Sequence, residues 1–204
     1  SNIPNVPGLK EAGFLSSESL FGDKFPKQPY KSLAILGAGP IGVEFAHVFD
    51  SAGTDVTIIQ HNVRLVPKED ADMSEHLLNN YRERGINIIL NQDTVEVRQE
   101  DGLKVVVTKD RTTGEITETK VEEILVAAGI RPATEELHLE NTGIETCPKG
   151  WIKTNEFLET SVDGIYALGD VNGEPAFRHR ANYEADIIAH NLYFAKNEAD
   201  FRWA

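Results

Sequence analysis

Gly37-Ala38-Gly39-Pro40-Ile41-Gly42 spaces three glycines as G-x-G-x-x-G, directly after an apolar run and at the start of a helical pattern. Between a strand and a helix, that spacing makes a cradle for a diphosphate. Gly37 permits the tight turn, and Gly39 lacks the β-carbon that would keep a pyrophosphate off the backbone. Gly42 lets the helix press against the sheet. Unpaired N–H groups at the helix start, with the partial positive charge there, then hold the anion. Each such contribution is worth ~0.3–2 kcal/mol, so binding rests on several acting together. A plain structural glycine turn is the alternative reading. The chemistry expected is the holding of a nicotinamide dinucleotide on the backbone of residues 37–42, Ala38, Pro40 and Ile41 included.

A second strand should end about twenty residues further on and contact the adenosine ribose. An acid there would take the 2′-hydroxyl of NAD and repel the 2′-phosphate of NADP. This chain has Gln60, followed by His61 and Asn62, with Arg64 close by. Gln60 can bond a hydroxyl but does not repel phosphate, and Arg64 or His61 could pair with one. NAD(H) is favoured because no arginine occupies the strand end, and NADP(H) stays open. Read as an exposed loop amide, Gln60 would have no role.

Other candidates are weaker. Glu44, one turn into the first helix, reads as an acid favoured by the helix dipole. Cys147, the only cysteine, lies between Thr146 and Pro148 without an activating base. His47, His76, His138 and His190 have no ligand-like spacing, so no metal is expected. A strand-turn-serine elbow of the hydrolase type is absent.

The elements that must position these residues follow from periodicity. Leu33–Leu36 reads as a strand buried on both faces, then a helix with Ile41, Phe45, Val48, Phe49 and Ala52 on one stripe, closed by Gly53. Val56–Ile59 is a second buried strand. A helix from about Asp70 places Met73, Leu77 and Tyr81 at steps of four, and Gly85 ends it before a third strand, Ile86–Leu90. This β-α-β-α-β order builds a parallel sheet. The period then changes to two over Thr94–Arg98, Leu103–Thr108 and Ile116–Val121, with Asp101-Gly102 and Thr113-Gly114 as turns. Ile124–Ala128 is a further buried strand ending at Gly129. Residues 3–30 are rich in Pro, Gly and Ser and read as a linker with short turns. Beyond Arg131, Trp151–Thr154 and Gly164–Leu168 read as short strands. A last helix from about Ala181 turns Ala185, Ile188, Ala189 and Leu192 inward, and residues 197–204 read as frayed or cut off.

Composition bounds what such a chain can do. With 204 residues, 40% hydrophobic and 26% charged, it has the makeup of a globular chain of one or two domains. Twenty Lys and Arg against 33 Asp and Glu give a net charge of −13. That charge opposes general binding to nucleic acid or an anionic membrane, while a local pocket for one phosphate-bearing cofactor is allowed. No apolar run approaches the ~20 residues of a membrane span, and no leader is visible, so a cytoplasmic setting is expected. The chain opens Ser1-Asn2 and its only methionine is Met73. It therefore reads as an excised piece of a longer protein, with Ser1 and Asn2 set aside from fold reasoning.

Three features resemble the FAD- and pyridine-nucleotide-dependent disulfide oxidoreductases, dihydrolipoamide dehydrogenase in particular. Gly37–Ala46 looks like that family's NAD-binding turn. A meander in place of a helix, closing on Ala127-Ala128-Gly129-Ile130-Arg131-Pro132, is similar to its nucleotide domain and exit segment. Thr160–Asp170 matches its second FAD signature, the longest and most specific of the three. The implied fold is α/β: a Rossmann-like three-layer nucleotide-binding domain with a parallel sheet and an antiparallel β-meander, plus a partial FAD-domain segment. The implied division is 1–30 as linker or partial FAD-domain segment and 31–130 as the NAD(P)-binding domain. Residues 131–204 become a central segment and second half of the FAD domain, truncated before a dimerisation domain.

The resemblance also implies roles. Asp170, presented by Gly169, would accept a hydrogen bond from the flavin's ribityl chain. Glu44 would point toward the flavin and pair with a lysine that this chain does not contain, which makes it the catalytic candidate. Gly129 would approach the nicotinamide nucleotide. Arg178-His179-Arg180-Ala181 would lie near the flavin ring, where helix-start amides could stabilise its reduced form; the His179 side chain could equally be a plain exposed histidine. The family also needs a second glycine turn, a cysteine pair and a C-terminal histidine-glutamate pair. This chain shows only one G-x-G-x-x-G and one cysteine. The expected function is the NAD(P)H-binding part of a flavin-dependent disulfide oxidoreductase, homodimeric as the parent, with FAD bound only there. The piece alone would be a colourless, inactive monomer. An NADH oxidase or ferredoxin-reductase-like flavoprotein, or a stand-alone NAD sensor, is the alternative.

Overall fold

The computed structural model describes residues 1–194 except Asp23 and Glu174. The expected frayed stretch, 197–204, lies outside the described residues. The chain divides into two compact units, residues 1–130 and 131–204.

In the first unit a five-stranded sheet is built from β1 (Leu15–Ser16), β2 (Ser32–Leu36), β3 (Asp55–Ile59), β4 (Asn87–Ile89) and β8 (Glu123–Val126). Its order is β1-β8-β2-β3-β4, and all neighbours are parallel. Side chains alternate across a strand, and β2 shows the consequence. Leu33 and Ile35 join a core with Val43, Ala46 and Phe49 of α3 (Pro40–Ser51) and Tyr81 of α4 (Ala71–Glu83). Ala34 and Leu36 face the other way, into a core with Val97, Val106 and Val121. Those valines belong to a second, antiparallel sheet of β5 (Gln92–Glu100), β6 (Leu103–Asp110) and β7 (Ile116–Val121), in the order β5-β6-β7. Helices, parallel sheet and meander form the three-layer α/β arrangement expected. Asp101 and Gly102 both have positive φ, at 52° and 80°, as a two-residue hairpin turn between twisted strands requires.

Four details differ from the sequence reading. Residues 3–30, expected as a linker with turns, contain α1 (Leu9–Ala12), β1 and α2 (Ser17–Phe21), with Leu9, Leu15 and Leu20 buried. Elements this short span too few residues to show a period. Asn2, set aside as outside the fold, donates its backbone N–H to the Gly129 carbonyl at 2.9 Å. On α3 the buried residues are Gly42, Val43, Ala46 and Phe49, while Val48 is 56% exposed. On α4 the buried positions are Ser74 and Tyr81, and Met73 faces solvent. Both α4 residues are anchored through oxygen: Ser74 Oγ donates to the Leu65 carbonyl and Tyr81 Oη to the Val43 carbonyl, each at 2.7 Å. A buried hydroxyl requires such a partner, so these polar anchors fix the helix together with Leu77 and Leu78, which pack on the same core as Tyr81.

The second unit has little regular structure before α5 (Arg178–Tyr193). The strands expected over 151–154 and 164–168 are only isolated bridges, Thr146 to Ile152 and Glu159 to Tyr166. Helix α5 begins three residues earlier than its apolar pattern suggests. Its buried residues are Arg180, Glu184, Ile187 and Ile188, whereas Ala185 and Leu192 are exposed. Leu158 and Tyr166 pack on Ile187 and Ile188. An apolar-only reading of this helix fails because a charged pair occupies half of its inner face. Among the described residues, no helix is long and apolar enough to cross a membrane.

Candidate functional site

The turn between β2 and α3 is held by its own backbone. Gly37 has φ of 110°, and a β-carbon there would lie 2.5 Å from the Ala127 carbonyl oxygen. A β-carbon on Gly42 would overlap the Gly37 carbonyl oxygen. Around Gly39 the situation is opposite: a β-carbon would meet nothing within 4 Å. Gly39 caps α3 without a side-chain partner, and Pro40 takes the first helical position. The N–H groups of Ile41 and Gly42 belong to the first turn, where no intrahelical acceptor exists. Open space therefore stands beside a helix start whose first N–H groups have no intrahelical acceptor. Ala38 is committed differently, its N–H donating to Gln60 Oε1 at 3.3 Å and its carbonyl accepting from Val66 at 2.8 Å.

A cleft of about 370 Å³ runs from Gly37 along the ends of β2 and β3, past Gln60 and His61 to Gln92, Asp93 and Thr94. Gln60 is not a loose loop amide. It is 5% exposed, and its Nε2 donates to the Arg64 carbonyl at 3.3 Å. Together with its bond to Ala38, this makes Gln60 a brace between the glycine turn and the 61–66 loop. The Arg64 guanidinium donates to the Pro67 carbonyl at 2.9 Å, and Arg64 is not among the residues lining the cleft. His61 does line it, with Nδ1 2.7 Å from Asp93 Oδ1. Arg111, from the β6–β7 turn, brings Nε to 3.6 Å from the same oxygen and Nη1 to 3.4 Å from the His61 carbonyl. That turn is fixed by Asp110, whose Oδ1 accepts from the N–H groups of Thr113 at 2.7 Å and Thr112 at 2.8 Å. Those two backbone donors, Thr113 foremost, hold the Asp110 carboxyl below the usual aspartate range.

Glu44 lies on the exposed side of α3. Burial pushes the Tyr81 phenol upward; Arg84 opposes that, and the Glu44 and Asp50 carboxylates add to it. Gly129 is exposed, has φ of 109° and is open where a side chain would project.

In the second unit Gly169 begins a single helical turn, Gly169–Asn172, that carries Asp170 at the surface. Gly169 is buried with φ of 71°, and its β-carbon would stand 3.2 Å from that of Ala181. Its N–H donates to Glu184 Oε2 at 2.6 Å. Arg180 pairs with Glu184 Oε1 at 2.8 Å and donates to the Gly173 carbonyl and Asn172 Oδ1. Gly169, Asp170 and Ala181 are thus brought together, whereas His179 turns outward and stacks on Phe177, ring centres 5.3 Å apart. Sequence reasoning missed Glu184 and read Arg180 only as part of the 178–181 helix start; the one signal of their pairing is the i,i+4 charge spacing that also marks exposed pairs. It missed Asp93 as well, because its approach to His61 spans 32 residues. Among the described residues, no group of three His, Cys, Asp or Glu could hold a metal ion.

Fold and turn define an α/β protein with a glycine cradle at a strand-to-helix junction. Residues 1–185 match the pyridine nucleotide-disulphide oxidoreductase family, and the chain belongs to it. It is 36% identical to a mercuric reductase of Staphylococcus aureus over 98% of this chain and 36% of that one. Identity is also 36% with a dihydrolipoyl dehydrogenase of Corynebacterium glutamicum, over 82% of this chain and 36% of the other. The Cu(II) complex of the HOCl-induced flavoprotein disulfide reductase RclA from Escherichia coli superposes with a TM-score of 0.86 at 30% identity, covering 98% of this chain and 44% of that one. The chain spans about a third of the length of these curated relatives.

Proposed function

We propose that these residues form the pyridine-nucleotide-holding part of a larger flavin-dependent disulfide oxidoreductase. When both cofactors are bound, nicotinamide and FAD supply the hydride chemistry; this chain's task is to hold and orient them. The observation that carries this reading is the open space before Gly39, flanked by a turn that admits no side chain at Gly37 or Gly42. In that reading the diphosphate lies against the N–H groups of Ile41 and Gly42, and the adenosine end follows the cleft toward His61. Gly129 lies free of side-chain cover where the nicotinamide end would pass. Asp170, held at the surface by the Gly169–Glu184 bond, accepts from a flavin hydroxyl in the parent, with Ala181 and His179 at the adjacent helix start. Glu44, exposed on α3, is the residue of this unit that would act toward the flavin in this reading.

Relatives named as mercuric reductases and as dihydrolipoyl dehydrogenases match the same residues, so this stretch is the shared part and the electron acceptor is selected elsewhere in the parent. In this reading the parent is a cytoplasmic homodimer, the 204 residues alone are a monomer without lipoamide dehydrogenase turnover, and NAD(H) is the preferred coenzyme. Titrating NADH against the chain and its Gly39→Val variant tests the assignment. Saturable binding by the parent sequence that Gly39→Val removes supports it. Equal binding by both places the coenzyme elsewhere.

A further inference from the structure

We infer that Asp93 reads the adenosine ribose and sets a preference for NADH over NADPH. This rests on the dinucleotide site proposed above and identifies which coenzyme that site takes.

The ribose-reading acid expected at the end of β3 is absent. Gln60 stands there, uncharged and buried, its amide tied to Ala38 N–H and the Arg64 carbonyl. Charge reaches the same cleft wall by another route. Asp93 enters at the start of β5 and lines the cleft together with Gly37, Gln60 and His61. Its side chain is 48% exposed, so the carboxylate fronts the cleft rather than filling a core position.

Two groups face this carboxylate. His61 Nδ1, at 2.7 Å, carries the proton of that hydrogen bond, because a carboxylate can only accept. Arg111 Nε lies at 3.6 Å. An ionised carboxylate has about four acceptor positions, so a bond from His61 leaves capacity for a ribose hydroxyl. A 2′-phosphate would bring up to two negative charges against Asp93. The cations that could offset this are placed unfavourably. Arg64 is turned to the Pro67 carbonyl, Arg111 is already engaged by Asp93 and the His61 carbonyl, and Lys109, opposite Asp93 on β6, is not among the residues lining this cleft. The asymmetry is the one by which a strand-end acid selects NAD, since a hydroxyl donates to carboxylate and a phosphate is repelled by it. Here the acid comes from the meander side.

The arrangement makes a two-step prediction. Removing the Asp93 charge removes the repulsion and releases Arg111 to meet a phosphate. Dissociation constants of NADH and NADPH would be measured by fluorescence for the full chain, Asp93→Asn and Asp93→Asn/Arg111→Gln, with circular dichroism to verify folding. Asparagine keeps an acceptor for His61, so the fold should persist. At about 4 Å and a surface-like dielectric, one unit charge moves affinity by roughly tenfold or more. The unsubstituted chain should bind NADH at least about tenfold tighter than NADPH, Asp93→Asn should erase that ratio, and Arg111→Gln should take back the NADPH gain. A chain that prefers NADPH, or a ratio unchanged by Asp93→Asn, overturns the role of Asp93 and leaves the site standing. Failure of the unsubstituted chain to bind either coenzyme overturns the site, and this inference with it.

Discussion

The helix start at Gly42 rests directly on the carbonyl of Gly37, so closely that a β-carbon at 42 would share the space of that oxygen. Neither partner can yield easily. Gly37 is hydrogen-bonded through its N–H to the Ile59 carbonyl at 2.9 Å, and Gly42 is inside α3. Gly42→Ala is therefore expected to push α3 off the sheet and cost about 1–3 kcal/mol, as overpacking does. Gly39→Ala meets open space at φ of −74°, so its cost is confined to alanine's poorer N-cap propensity and should stay within about 1 kcal/mol. Urea denaturation of the two variants side by side measures the contrast, and equal loss from both would contradict the packing described.

At Gly39 the larger Val side chain separates folding from binding. Its β-carbon would meet nothing within 4 Å, whereas a diphosphate on the Ile41 and Gly42 N–H groups would oppose the side chain. Gly39→Val should keep its melting temperature within a few degrees of the parent sequence, the shift expected for ~0.5 kcal/mol. NADH affinity should fall by at least about tenfold, equivalent to ~1.4 kcal/mol. Thermal melting with and without NADH reads both quantities in one experiment, since a ligand stabilises only what it binds.

Asp110 gives the β6–β7 turn an acid-sensitive anchor. Its carboxyl is lowered in the folded chain by the Thr113 and Thr112 backbone donors. A depressed folded value means that the stabilisation is fully present above the unfolded aspartate range. It is lost as pH falls through the folded value. Asp110→Asn retains an oxygen for both threonine N–H groups but no longer titrates. Its stability should therefore vary less with pH below about 4 than that of the parent sequence, and the two curves should run parallel near pH 7. Chemical denaturation across pH 2.5 to 7 checks this, and parallel curves throughout would show that Asp110 contributes no proton linkage.

How much of this was legible in the sequence depends on the range of each interaction. The glycine turn and its flanking strands are local, so Gly37, Gly39 and Gly42 take their conformations from neighbours within a few residues. The alternation of β5 to β7 is likewise local and correctly announced a meander. Helix rotation was less legible. The apolar stripe on α4 placed Tyr81 inward correctly but put Met73 there too, whereas the buried neighbour is Ser74, whose hydroxyl the Leu65 carbonyl accepts. Asp93 was invisible for the same reason: only the folded register of β5 carries it to His61. A short edge strand such as β1 shows no period at two residues and is recruited by β8.

The least legible feature was the buried pair on α5, and it makes the sharpest stability prediction. Arg180 and Glu184 have side chains 9% and 0% exposed and lie 2.8 Å apart. Glu184 also accepts the Gly169 N–H, so two roles, charge balance and hydrogen-bond acceptance, fall on one carboxylate. Breaking a buried ion pair by removing one member generally costs about 3–5 kcal/mol, more than removing both charges does. Glu184→Ala should show the full loss, because Gly169 N–H is orphaned as well. Glu184→Gln keeps an acceptor for Gly169 and isolates the charge. Arg180→Met added to Glu184→Gln should then recover stability relative to Glu184→Gln alone, with a coupling of about 1–3 kcal/mol. A double variant no better than the sum of its parts would mean that the carboxylate matters only as an acceptor for the Gly169–Asn172 turn, and that the charge of Arg180 is balanced without it.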